Sequence, residues 1–130
     1  MDIKKNIDYW VKSAEHDLLT AKSMYKTKHY DWCLFLAHLI LEKILKSYFV
    51  NDNKNFPPKT HDLLLLAKRI QYSFTEEQLI VLENANNFNL EARYPDEKLS
   101  FYQTCTKEYT ELHFFKILEL YKCLKSALIY

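Results

Sequence analysis

Three groups of residues in this chain have types and spacings that chemistry can use. His38 and Glu42 lie four apart in an apolar run, so a helix would turn both to one side. Such a pair can hold a divalent cation if His61 or Asp62 completes the set, or it can form a His–Glu hydrogen bond lining a groove. Lys59, His61 and Asp62 follow Pro57-Pro58 and open the run LLLLAK. The free N–H groups of a helix start bind phosphate, with Lys59 and His61 beside it. The plainer alternative is that Asp62 serves the helix dipole and His61 is solvated. Arg93-Tyr94 is the third group: Arg grips phosphate bidentately, and Tyr stacks on a base. Its alternative is a loop Arg paired with Glu91 or Asp96, with Tyr94 packed on the fold. No Ser–His–Asp set, glycine-rich phosphate loop or carboxylate pair is readable. Two ligands at i and i+4 arise often by chance, and no thiolate or third His is near in sequence, so no metal site is assigned. No cofactor is expected.

The elements that must position these groups read as helices. In Ile3–Tyr25, Ile3, Ile7, Trp10, Ala14, Leu18, Ala21 and Tyr25 form one apolar stripe. After the polar turn Lys26–His29, the stretch Tyr30–Val50 is apolar on nearly every side, as suits a helix surrounded by others. It carries one polar stripe of Asp31, His38, Glu42 and Lys46, a groove wall or an interface. Asn51–Lys59 ends it, with an Asn in place of the usual left-handed Gly. Thr60 is a plausible N-cap for a third helix, HDLLLLAKRIQ. Thr75 and Gln78 have the spacing of a capping box for a fourth, which should stop by Tyr94 because Pro95 follows. Asp96–Gln103 reads as a loop or short turn. The last helix, about Cys105–Ile129, has a spine of Phe115, Leu118, Leu120, Tyr121, Leu124 and Leu128.

Composition fits this picture. Glycine is absent, and a β-rich domain needs Gly for its turns, so the fold is expected to be all-α. Residues 1–130 are expected to form a single helical domain. The formal charge of +1 gives no global field toward nucleic acid or membrane. The three cysteines are odd in number and in apolar contexts, so they read as reduced packing residues. The N-terminus lacks a signal-like apolar core, and His38 and Glu42 interrupt the best candidate for a membrane span. Both point to the cytoplasm and away from the membrane.

The segments YWVKSAEHDL, HYDWCLFLAHLILEKILKSYF, PPKTHDL and EARYPD, in this order, resemble the HEPN domain family. The resemblance covers nearly the whole chain. It implies a five-helix domain with an antiparallel up-and-down four-helix core, generally dimeric. Many members are encoded beside a small nucleotidyltransferase in a toxin–antitoxin-like pair. In active toxins the HEPN subunit is a metal-independent ribonuclease whose signature is an Arg, four to six residues, then a His. Arg93 stands where that Arg is expected, but no His follows in the window, nor after Arg69. Lys107 and His113 have a similar spacing, but with Lys for Arg and on another helix.

Together these readings predict a homodimeric, non-catalytic module that binds a nucleotide or RNA, or pairs with a nucleotidyltransferase. The ligand would approach Lys59, His61, Asp62, Arg93 and Tyr94. The alternatives are a ribonuclease toxin using His61 or His38 as its base, and a purely structural dimerisation domain.

Overall fold

The structure is a computed structural model that describes residues 1–130, except for the side chains of Pro95 and Asp96. It is all-helical: α1 Ile3–Lys26, α2 Tyr30–Asn53, α3 Leu63–Lys68, α4 Glu76–Arg93, α5 Pro95–Thr104 and α6 Lys107–Ala127. The four long helices form an antiparallel up-and-down core, and α2 is its centre, touching every other helix. Thirteen of its 24 residues are buried, which leaves very little of it for solvent.

Small residues let α1 lie close along α2: Ala14, Ala21 and Ala37 are fully buried at this junction. The α1 stripe is Ile7, Val11, Ala14 and Ala21, whereas Trp10, Leu18 and Tyr25 are only half-buried. Asp17 is buried too, and its carboxylate meets Lys43 of α2 at 2.6 Å. On α6 the buried set is Thr110, Phe114, Ile117, Leu120, Tyr121 and Leu124. Phe115, expected in the spine, points outward: a shift of one residue turns a helical side chain by about 100°. Tyr48 ties α2 to the end of α6 by donating to the Leu124 carbonyl at 2.6 Å.

Capping explains most boundaries. Thr75 and Gln78 close the capping box that starts α4. The α3 cap is Asp62, not Thr60: Asp62 Oδ1 accepts from the N–H groups of Leu64 and Leu65, while the Thr60 hydroxyl accepts from the Asp62 N–H. The helix is correspondingly shorter than HDLLLLAKRIQ. Where a loop or short turn was expected after Tyr94, the chain forms a sixth helix. Proline suits the first helical position, because its missing N–H needs no partner and its φ is already helical. The left-handed positions fall on lysines, not asparagines: Lys28 has φ 64° and Lys54, which caps α2, φ 53°. In a chain without glycine, each costs about 1 kcal/mol.

Cys33 and Cys105 are buried, and burial pushes both thiols up to about 12, which keeps them protonated and inert. Cys123 is exposed on α6, outside the packing role expected of all three. Among the described residues, no helix is long and apolar enough to cross a membrane.

Candidate functional site

The polar stripe of α2 meets the segment that leads into α3. Glu42 is 5% exposed, and its two oxygens are separately engaged. Oε1 accepts from His61 Nδ1 at 2.8 Å, and Oε2 accepts from Lys46 Nζ at 2.9 Å. Burial raises the Glu42 pKa, but the hydrogen bonds from His61 and Lys46 outweigh it and hold the carboxyl below its ordinary value. The group is therefore ionised in the folded protein. Lys46 is itself buried and lies 5.3 Å from the centroid of the Trp10 ring, which covers the ammonium from the α1 side.

His38 sits one turn earlier and is fully buried. Its Nε2 is 2.8 Å from the His61 carbonyl, so Nε2 carries the proton and donates it. Nδ1 is then the unprotonated nitrogen. It has no hydrogen-bond partner and stands 4.0 Å from Glu42 Oε1. Desolvation pushes this imidazole down to about 4, so it is neutral at physiological pH. His61 is thus held twice, through its carbonyl by His38 and through its ring by Glu42. With Nδ1–H donated inward, Nε2 is the ring nitrogen left for other partners, on a side chain that is 54% exposed.

These donors do not assemble a metal site. Lys46 occupies the second Glu42 oxygen, and His61 the first. Among the described residues, no three His, Cys, Asp or Glu side chains are placed to hold one.

Arg93 reaches the same region from the end of α4. Its Nε donates to Asn89 Oδ1 at 2.8 Å, and its guanidinium lies over the Phe35 ring at 5.3 Å. Phe35 lies three residues before His38 on α2, so this seat puts Arg93 about one turn along α2 from the His38–Glu42 network. No ion pair joins Arg93 to Glu91 among the described residues, and the Asp96 side chain lies outside them. The alternative of a loop Arg held by Glu91 therefore gives way to an Arg shelved on Phe35 and braced by Asn89.

The remaining predicted residues separate from this centre. Asp62 caps α3 and also accepts from Asn86 Nδ2 at 2.9 Å, so its carboxylate is occupied by structure. Lys59 is exposed, two residues from His61 along the chain. Tyr94 is 58% exposed, not packed on the bundle. Asp31 lies at the far end of the stripe, beside Trp32, Ala92, Lys98 and Phe101, and does not join the His38–Glu42–Lys46 network. His113 is half-buried between Phe88 and Tyr109, and burial lowers its pKa.

Sequence reasoning missed Trp10, Phe35 and Asn89. The last had a signal: Asn89 and Arg93 are four apart on one helix, a spacing that lets the amide hold the guanidinium.

Residues 7–128 match the model of the HEPN domain. The chain belongs to the HEPN family. Two solved structures share its fold. One is TT1696 from Thermus thermophilus, 18% identical, with a TM-score of 0.80 over 94% of this chain and 98% of that one. The other is ST0689, an archaeal HEPN homologue, 19% identical, with a TM-score of 0.72 over 92% and 95%. No curated protein matches the sequence. In this HEPN chain, His38 and Glu42 of α2 meet His61 of the segment that leads into α3.

Proposed function

We propose that this HEPN chain is a non-catalytic module that binds the phosphate of a nucleotide or of RNA beside His61 and Arg93. It acts in the cytoplasm as a homodimer, as one domain over residues 1–130. Its partner is a small nucleotidyltransferase in a toxin–antitoxin-like pair. The observation that carries the binding reading is the orientation of His61. A buried, ionised Glu42 fixes its ring so that the exposed nitrogen faces solvent, with the Arg93 guanidinium held on Phe35 nearby. Preorganised side chains of this kind lose little freedom on binding, which is what a ligand site requires. Lys59 and Tyr94, both exposed, would add a cation and a stacking face.

The same geometry favours one second reading. A carboxylate that holds Nδ1–H and leaves Nε2 outward is also the arrangement that prepares a histidine as a general base. A ribonuclease built on His61 would therefore not need the His that is missing after Arg93. The two readings part in a single experiment: incubate the purified protein with a single-stranded RNA in EDTA, and measure its melting temperature with ATP and with the RNA. The binding module raises its melting temperature and leaves the RNA intact. Cleavage that is lost in His61→Ala establishes the ribonuclease instead. No shift and no cleavage leave a structural domain.

A further inference from the structure

The charges of α1 are sorted by sign around its axis. Lys5, Tyr9, Lys12, His16 and Lys26 fall within about 100° of arc, opposite the buried line Ile7, Val11, Ala14 and Ala21, and all five are exposed. Lys4 and Lys22 border this face and are exposed as well. Among the described residues, none of the five lysines of α1 makes an ion pair. The acids of the same helix are each engaged by a neighbour. Asp17 meets Lys43 of α2, Glu15 meets Lys125 of α6, and Asp8 accepts from the Tyr130 hydroxyl. Asp2, which precedes the helix, caps it by accepting from the Lys5 N–H. Tyr9 stands one turn from Lys5 and just under one turn from Lys12. Its side chain is 62% exposed, and the Trp10 ring braces it edge-on at 5.1 Å between centroids.

We propose that this face of α1 binds a single strand of nucleic acid, its lysines following the phosphates and Tyr9 stacking on a base. The inference concerns a surface separate from His61 and Arg93 and does not rest on the site proposed there. Lys5 and Lys26 are about 31 Å apart along the helix, a length that spans about nine phosphates of a stacked strand. Cations without counter-ions along a straight track attract such a backbone, and they gain further by releasing the ions condensed on it. Two features select a strand over other polyanions. An anionic lipid surface is bound by a helix whose apolar side is free to enter it, and the apolar side of α1 is buried in the bundle. An acidic polypeptide supplies charge but no base for an exposed ring set between cations, whereas every base has a face to stack.

The test is fluorescence anisotropy of a labelled oligo-U RNA and an oligo-dT DNA, each of about 20 nucleotides, titrated with the full chain from about 50 to 200 mM salt. The wild type should bind at least one of them, more weakly as salt rises. Lys5→Gln/Lys12→Gln/Lys26→Gln should reduce the slope of log affinity against log salt by about 2, at about 0.7 per phosphate contact, and weaken binding by at least about tenfold. Tyr9→Leu should weaken binding by about fivefold or more and leave the slope unchanged, because stacking releases no ions. Lys68→Gln/Lys107→Gln/Lys122→Gln removes the same charge from other exposed positions and should leave affinity and slope as they were. All these side chains are exposed, so the variants should fold, which circular dichroism verifies. A wild type that binds neither strand overturns the proposal, as does a wild-type slope in the α1 variant or an equal loss in the control variant. Competition by polyglutamate as effective as that by unlabelled oligo-U, at equal charge, also overturns it, because the face would then be reading charge alone.

Discussion

Replacing Glu42 by Leu strips the carboxylate from a position that is 5% exposed and leaves Lys46, 7% exposed, with its charge unpaired. Breaking a buried pair from one side costs about 3–5 kcal/mol, because the remaining ion stays desolvated. The Trp10 face offsets part of this, about 1 kcal/mol, so the expected loss is roughly 3 kcal/mol. Losing the bond to the half-exposed His61 adds at most about 1 kcal/mol. Lys46→Met should cost less, about 2 kcal/mol, since His61 still donates to the carboxylate. The double variant Glu42→Leu/Lys46→Met removes both charges and should lie within about 1 kcal/mol of wild type. The coupling between the two sites is then about 4 kcal/mol or more. Urea unfolding at neutral pH, with the midpoint read at constant m, measures all four corners of the cycle. If the single changes each cost less than about 1 kcal/mol, or add within about 0.5 kcal/mol, the buried network does not hold the site together.

Three further outcomes follow from individual residues. His38 has a folded pKa of about 4 against an ordinary 6.5, so its contribution to stability is complete above pH 6.5 and is lost as pH falls toward 4. The full difference is about 3 kcal/mol, and His38→Gln, whose amide can still donate to the His61 carbonyl, should flatten that slope in unfolding measured from pH 7 to 4.5. Asp62→Ala removes the α3 cap and the anchor for Asn86 and should lower stability by about 1–2 kcal/mol, while Asp62→Asn retains most of it; thermal melts separate the two. Lys54→Gly relieves a left-handed backbone and should leave stability unchanged or raise it by up to about 1 kcal/mol, seen as a higher Tm.

The helices were legible because their signals are local. Apolar periodicity located α1, α2, α4 and α6, and the Thr75–Gln78 box fixed the start of α4. What failed was also local, but ambiguous. Proline at position 95 reads equally as a stop for α4 and as a start for α5, and only the packing of Phe101 against Phe88 decides it. Thr60 and Asp62 are both good caps, and the choice fell to the one whose carboxylate also met Asn86. On α6, adjacent Phe114 and Phe115 could not both face inward, and the residues alone did not say which would. The candidate site was legible as a set of residues but not as a connected one. His38, Glu42 and Lys46 were visible on one stripe. That Glu42 would hold His61, nineteen residues on, depends on where the loop after α2 returns, which no local pattern encodes. Arg93 drew notice by its type, but its seat on Phe35 is a contact between two helices and emerges only from the fold.

The central claim is that His61 and Arg93 form one phosphate-binding site. Titration of a labelled single-stranded RNA, and separately of ATP, into wild type, His61→Ala, Arg93→Ala and the double variant tests it most directly. Binding of at least one of these ligands is expected, weakened about tenfold or more by each single change, with losses in the double variant that are smaller than the sum because the two side chains share a ligand. Binding that is absent from the wild type, or that survives both substitutions unchanged, contradicts it.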